Sequence, residues 1–174
     1  MFGYIIQLFS FQREGILKTI FNQLLERPNF KEGVVWKKVH FETNETIIKE
    51  DESSGCVYLL FSGKARVVAN ISMGGERMLH PGFRDLEAGE VFGELSLIDN
   101  EPHSTSVVAI GECEIVVIKN DLFLAYLDEN PVDGYRVFRA LSKTLVERLR
   151  KTNAKAFSLY AWGLKVHGFE EYLK

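Results

Sequence analysis

The feature that most restricts the fold is the hydrophobic spacing of residues 33–119. This region consists of short apolar runs, rich in β-branched and aromatic residues, which Gly, Asn, Asp, Ser or Glu separate at short intervals. Such a pattern is typical of antiparallel strands in a sandwich or barrel. Tight turns are expected at Ser62-Gly63 and at Met73-Gly74-Gly75, because glycine accepts the positive φ of hairpin turns. The runs that predict strands are 34–39, 46–49, 57–61, 65–69, 106–109 and 115–118.

Helical spacing appears on both sides of this region. An apolar stripe at three- and four-residue steps lies in the first 30 residues and is formed by Ile16, Leu17, Ile20, Phe21 and Leu24. Arg27-Pro28 ends it, since proline disfavours helical geometry in the preceding residue. After the strands, Asn120 or Asp121 caps a helix that continues through Asp128. A long helix then extends from about residue 133 to at least residue 156.

The predicted fold is mainly β with flanking helices: an antiparallel β-roll or jelly-roll sandwich with an N-terminal helix and two C-terminal helices, the last one long. Its segments are residues 1–30, 31–119 and 120–174. The long helix carries an apolar row in which Phe138, Leu145, Thr152 and Leu159 lie seven residues apart. This row suits packing on the sandwich or on a second copy of the chain.

Composition restricts the functions that are expected. The chain has 174 residues and a formal net charge of -3, which suits one domain of about 150 residues and argues against direct binding to duplex nucleic acid. No apolar run reaches the ~18–20 residues that span a bilayer, and the opening MFGYIIQLF lacks the basic region and cleavage site of a signal peptide. Cys56 and Cys113 lie in apolar runs, so we expect reduced core residues of a cytoplasmic protein.

Catalytic and metal-binding constellations are not expected. The histidines show no His-x-His pair and no ligand spacing, and two distant cysteines cannot hold a cluster. A Ser or Cys nucleophile elbow is also missing from the sequence. The sequence therefore predicts neither an enzyme nor a metal site, and His80 as an axial haem ligand is a minor alternative. The histidines are His40, His80, His103 and His167.

Residues 89–107 interrupt the strand pattern. Gly93 allows the backbone to approach a ligand closely, and Glu94 is an acceptor suited to a sugar hydroxyl. Residues 94–97 indicate a helical turn whose first N–H groups suit an anion. Pro102-His103-Ser104 then adds a hydroxyl and an imidazole. The segment indicates a phosphate cradle with a ribose acceptor, or else a sandwich corner in which Glu94 is solvated or caps a helix.

The same residues carry a family resemblance. Phe92-Gly93-Glu94-Leu95-Ser96-Leu97, followed after a gap by Pro102-His103-Ser104-Thr105-Ser106-Val107, resembles the phosphate-binding cassette of the cyclic-nucleotide-binding domain family. We call residues 92–107 the cassette. The run from Tyr58 to Val67 is similar to the strand-Gly-strand hairpin of the family, and the resemblance covers about residues 12–160.

The resemblance implies how the cassette binds a ligand. Glu94 would accept from the ribose 2′-hydroxyl, while Gly93, Leu95 and Ser96 would offer backbone around the ribose and the cyclic phosphate. Ser104 would donate to a phosphate oxygen, and Thr105, which follows it in the motif, is a further expected ligand-binding residue. A hydroxyl at this position also suits the amino group of guanine.

Thr152 and Asn153 stand where the bacterial cAMP receptor protein holds the base with a Thr-Ser pair. The resemblance therefore implies contacts between these two residues and the nucleotide base. An equally weighted alternative makes Thr152 a small polar residue in a helix–helix contact.

His103 occupies the place of the phosphate-pairing arginine of the family. Arginine is always charged and offers a planar fork of donors, whereas histidine offers two diverging donors and is partly charged near neutral pH. Loss of one partner of a buried charge pair typically costs ~2–5 kcal/mol. The substitution therefore predicts weak binding, a different ligand or a degenerate pocket. If His103 pairs with phosphate, cAMP should bind more tightly as the pH falls from 8 to 6.

The predicted function is a stand-alone sensor domain that binds cAMP or cGMP and needs no cofactor. The alternative is a degenerate dimerisation or docking scaffold of the same fold. The residues after Ser158 are too few for the winged helix-turn-helix of the transcription factors of the family. The expected partners are therefore a cyclic nucleotide, a second copy bound through the long helix, and an effector protein, with no direct contact with DNA or a membrane.

Overall fold

Two compact units make up the chain, Met1–Val137 and Phe138–Lys174. The computed structural model describes residues 16–69, 71–72, 78–79 and 82–168. The first unit contains the strands and three helices, and the second contains most of the long C-terminal helix. The segment boundaries expected near residues 30 and 119 remain predictions.

Two antiparallel sheets form the first unit, and they confirm the predicted β-rich fold. The first sheet has the strand order β1-β10-β3-β8 and the second has the order β2-β9-β4-β7, while β5 pairs with β6. The strands among the described residues are β1 (Trp36–Phe41), β2 (Thr46–Ile48), β3 (Cys56–Ser62), β4 (Lys64–Val68), β5 (Ile71–Ser72), β6 (Met78–Leu79), β7 (Gly82–Glu87), β8 (Val91–Phe92), β9 (Ser106–Ala109) and β10 (Cys113–Lys119).

The core lies between the two sheets. In β4 the buried Ala65 precedes the exposed Arg66, so this strand has one face on the core. In β3, by contrast, residues 57–60 are all buried, which explains its unbroken apolar run. Leu60, Leu86 and Ile115 are fully buried in the same cluster. Burial of each such side chain contributes about 1.5–3 kcal/mol.

The described residues contain four helices. They are α1 (16–25), α2 (Ser96–Asp99), α3 (Asn120–Glu129) and α4 (Pro131–Val166). Of the predicted α1 stripe, Leu17, Ile20, Phe21 and Leu24 are buried, whereas Ile16 is exposed. Phe123 of α3 lies with its ring centroid 5.8 Å from that of Phe21 and 5.6 Å from that of Phe30. This aromatic contact joins α3 to α1 and to the loop that follows α1.

The ends of the C-terminal helices differ slightly from the prediction. Lys119 is the last residue of β10 and has extended geometry, so β10 continues directly into α3 at Asn120. The long helix begins at Pro131, which the sequence pattern assigned to the connection before it. Proline suits the first position of a helix because its φ is preset and its missing N–H is not needed there.

The strands β5, β6, β7 and β8 were not predicted. In β7 the apolar pattern is weak because Arg84, Asp85 and Glu87 are exposed. The strand instead pairs with β4, and Arg66 Nε lies 2.6 Å from Asp85 Oδ1 across the two strands. The predicted turn at Ser62-Gly63 joins β3 to β4 with a φ of 83° at Gly63. The turn predicted at residues 73–75 lies outside the described residues.

Candidate functional site

The cassette connects the two sheets. It begins in β8 of the first sheet, passes through α2 and ends in β9 of the second sheet. Gly93 follows β8 directly and has a φ of 69°. A Cβ atom at this position would lie 2.9 Å from Tyr58 Cδ2 and 3.2 Å from Ile48 Cδ1. Glycine is therefore required by the turn itself and by close contact with core side chains.

Glu94 is buried at the start of the α2 turn, with 3% of its surface exposed. A buried carboxylate is tolerated only when it is hydrogen-bonded or paired with a charge. Leu95 is 46% exposed and lies on the outer side of the turn. The structure thus gives the two adjacent residues opposite environments, with the carboxylate inside and the aliphatic side chain outside.

The hydroxyl of Ser96 stabilises the cassette from within. Ser96 Oγ donates to the carbonyl of Gly93 at 2.8 Å and lies 3.4 Å from the carbonyl of Cys56. It also accepts from Asn120 Nδ2 at 3.2 Å. Both Ser96 and Asn120 are buried. The hydroxyl of Ser96 is thus engaged with the protein, and its implied role toward a ligand uses only its backbone.

His103 is buried against the loop between β2 and β3. Its ring Nε2 lies 2.6 Å from Ser54 Oγ. Its backbone N–H donates to Glu52 O at 3.1 Å, and its carbonyl accepts from Asp51 N at 2.9 Å. Burial lowers the pKa of His103 below its usual value. The residue at the position of the family arginine is therefore neutral near pH 7 and hydrogen-bonded to this loop.

Tyr58 lies between the two halves of the cassette. Its ring stacks on Phe92 with centroids 5.3 Å apart and meets the His103 ring edge-on at 6.2 Å. Burial raises the pKa of the Tyr58 hydroxyl, and a hydrogen bond with Ser54 partly offsets this effect. Since Tyr58 also limits the space at Gly93, its ring connects the glycine turn to His103.

The remaining predicted residues have different surroundings. Ser104 is exposed and Thr105 is half-buried, just before β9. The next hydroxyl, that of Ser106, is buried and accepts from Glu50 N at 3.0 Å. Thr152 and Asn153 are exposed on α4 in the second unit. The first unit therefore holds every predicted site residue except these two.

Three residues that contact the cassette, Ser54, Tyr58 and Asn120, were not predicted as site residues. Ser54 lies 49 positions from His103, and Asn120 lies 24 positions from Ser96. Tyr58 was recognised only as part of a strand. The local sequence carries no signal for these pairings, since a hydroxyl or an amide at a turn is usually explained by the turn itself.

A groove of about 470 Å³ lies on the second sheet, and Gly93, Glu94 and His103 are not among its lining residues. Its two cationic side chains, Lys49 and Arg66, form ion pairs with Glu52 and Asp85. Of the cassette, Ser106 lines this groove, and the two cationic charges of the groove are already paired within the protein. It is lined by Asn44, Thr46, Lys49, Arg66, Val68, Ser106, Val108, Ala109 and Ile110.

The part of the chain that the structure describes contains neither a metal-binding cluster nor a membrane-spanning helix. Within it, no group of three or more His, Cys, Asp or Glu side chains is arranged to hold a metal ion. No helix of this part has both the length and the apolar character needed to cross a membrane.

The architecture is a β-roll with a short helical cassette between its sheets and helices after its last strand. The family model "Cyclic nucleotide-binding domain" matches residues 38–130, more than half of the chain. The protein belongs to this family, which is typically regulatory and not catalytic.

Known relatives come from the same family. The chain is 28% identical over 115 residues to the CRP-like cAMP-activated global transcriptional regulator of Mycobacterium tuberculosis, covering 66% of this chain and 48% of that protein. The Catabolite Activator Protein of Thermus thermophilus has a similar structure, with a TM-score of 0.61 and 27% identity over 71% of this chain and 55% of that one. A cyclic nucleotide-binding domain from Methylobacillus flagellatus shares the fold, with a TM-score of 0.62 at 23% identity, covering 70% of this chain and 66% of that one. The chain spans about half the length of the curated relatives it matches.

Proposed function

We propose that this protein is a cytoplasmic sensor domain that binds a cyclic nucleotide at the cassette, with cAMP as the first candidate and cGMP as the second. Glu94 accepts from the ribose 2′-hydroxyl, and Ser104 donates to the cyclic phosphate. Binding favours one position of the cassette, and the helices after β10 transmit that change to a partner by population shift. The free Cys56 and Cys113 fit a reducing compartment.

The observation that carries this proposal is the burial of Glu94 directly after the left-handed Gly93. A carboxylate on a surface corner would be solvated, whereas this one is removed from water within a turn that only glycine permits. Relatives named for activation by cAMP support the choice of ligand. Thr152 and Asn153, both exposed on α4, are the proposed contacts to the base.

The affinity is expected to be low because of His103. A neutral imidazole bonded to Ser54 cannot replace the charged fork of arginine at a phosphate. The same observation favours a second candidate function, in which the pocket binds no nucleotide and the domain is a dimerisation or docking scaffold. A His103→Arg variant separates the two functions, since restoring the guanidinium tightens binding only if the pocket still accepts a cyclic phosphate.

Isothermal titration calorimetry with cAMP and with cGMP tests the proposal. A hydrogen bond to a charged group contributes about 1.5–3 kcal/mol, so Glu94→Gln should weaken binding by about 10- to 150-fold. Glu101→Gln is the matched control, because it removes the same charge from an exposed site on the loop before His103; its affinity should stay within twofold. If neither nucleotide binds at millimolar concentration, even to His103→Arg, the scaffold function replaces the sensor.

The proposal includes a homodimer formed through α4. An effector protein would bind this homodimer and respond to its change of state. Considered alone, the second unit exposes large apolar side chains along its helix, including Leu149, Phe157, Tyr160 and Trp162. Leu149, Asn153, Phe157 and Tyr160 recur at four- and three-residue steps, which places them on one face. Burial of such a face against a second copy would remove a large apolar surface from water.

A further inference from the structure

Asn120 contacts the cassette from the first position of α3. Its backbone N–H donates to Gly55 O at 2.9 Å, and its side-chain Nδ2 donates to Ser96 Oγ at 3.2 Å. Ser96 in turn donates to Gly93 O, the carbonyl just before Glu94. A continuous chain of hydrogen bonds therefore leads from α3 to the glycine turn of the cassette.

The presence of an amide side chain at Asn120 is not explained by its contribution to the stability of the fold. Asn120 is 6% exposed, and among the described residues its Oδ1 has no hydrogen-bond partner. A buried acceptor without a donor destabilises the folded state by at least as much as one neutral hydrogen bond stabilises it. The amide therefore offers little net stability, and a leucine of similar size would serve the core equally well. A buried polar group that is unsatisfied in this way calls for an explanation other than packing.

We propose that Asn120 is a positioning residue of the cassette: it orients the hydroxyl of Ser96 and thereby sets the geometry of the turn from Gly93 to Asp99. Through this contact, the position of the cassette and the position of the first residue of α3 are coupled. The inference rests on the proposed function where it concerns ligand affinity. The local order of the turn in the unliganded protein can be tested without any nucleotide.

A double-mutant cycle with two readouts tests this role in the full chain. Asn120→Leu removes the donor and the unpaired acceptor together, so its melting temperature should stay close to that of the parent protein. Amide hydrogen exchange at residues 96–100 should become about fivefold faster, the factor that one neutral hydrogen bond represents. The dissociation constant for cAMP should rise by a similar factor. If Asn120→Leu does not fold, Asn120→Ala takes its place.

The cycle distinguishes positioning from a general structural effect. If Asn120 acts through Ser96, the double variant Asn120→Leu/Ser96→Ala shows the same amide exchange and the same affinity as Ser96→Ala alone. Asn130→Ala is the matched control at the other end of α3, where Asn130 Nδ2 donates to Tyr126 O at 2.8 Å. This control should change exchange near residue 126 and leave residues 96–100 unaffected.

The outcomes separate this inference from the proposed function. Two results would overturn the positioning role. One is unchanged amide exchange at residues 96–100 in Asn120→Leu, and the other is that the effects of Asn120→Leu and Ser96→Ala simply add. If the parent protein binds neither cAMP nor cGMP, the proposed function fails, and the exchange measurements alone decide the role of Asn120. Faster exchange confined to residues 96–100, with the predicted non-additivity, supports it.

Discussion

Replacement of Gly93 by alanine gives the sharpest test of how the cassette is built. Two penalties are expected at this position. The left-handed conformation, with a φ of 69°, costs an L-residue about 1–2 kcal/mol. In addition, the new Cβ atom would lie 2.9 Å from Tyr58 Cδ2 and 3.2 Å from Ile48 Cδ1. At least one of these core side chains must therefore move.

A second glycine allows the two penalties to be measured separately. Gly33 has a φ of 77°, and a Cβ atom there meets nothing within 4 Å. Gly33→Ala therefore reports the backbone cost alone, whereas Gly93→Ala adds an overpacking cost of about 1–3 kcal/mol. For a chain of 150–250 residues, 1 kcal/mol lowers the melting temperature by about 2–4 °C. An extra 2 kcal/mol therefore corresponds to a further decrease of about 4–8 °C.

Thermal unfolding followed by circular dichroism, with the parent protein and both variants in one buffer, measures this difference. The expected order of melting temperature is parent, then Gly33→Ala, then Gly93→Ala. Equal decreases in the two variants would show that Tyr58 and Ile48 move at no cost. In that case the reasoning that Gly93 is required by close packing would be refuted, and only its backbone conformation would matter.

Two further predictions concern His103 and α4. Because burial lowers the pKa of His103 in the folded state, the unfolded chain binds more protons below about pH 6.5. The free energy of unfolding should therefore be unaffected by His103 above this pH and decrease as the pH falls below it. Urea titrations from pH 8 to 5.5 should show a smaller decrease for His103→Asn, and equal slopes would contradict the assignment. Leu149→Glu places a charge on the exposed face of α4 and should shift sedimentation velocity from dimer to monomer, whereas Lys151→Glu, at an exposed polar position, should not. A parent protein that sediments as a monomer rules out the homodimer.

The sequence predicted the strands whose stability depends on apolar burial. β3 and β10 appear as solid apolar runs because side chains on both faces of each strand are buried, Leu59 as well as Leu60 in β3 and Val116 as well as Ile115 in β10. β7 was missed because it is stabilised through β4, where Arg66 faces Asp85 across the strands. Local spacing cannot reveal a pairing between residues that lie 19 positions apart.

The same limit applies to the candidate site. The cassette was recognisable because Gly93, Glu94 and Ser96 are close together in the chain and each has a distinct chemistry. The partners that hold it, Ser54 at His103 and Asn120 at Ser96, come from other elements. The charge state of His103 likewise depends on burial, which only the folded arrangement determines.

The two ends of the cassette are anchored unequally. At its amino end, β8 is a two-residue strand at the edge of its sheet and, within the described residues, pairs with β3 alone, through Phe92 with Tyr58 and Val91 with Leu59. At its carboxyl end, β9 lies in the interior of its sheet, between β2 and β4. Local unfolding requires less free energy where fewer hydrogen bonds must break. Partial opening of this region would therefore begin at the β8 end and stop at β9, so that a ligand could enter or leave while most of the roll stays folded.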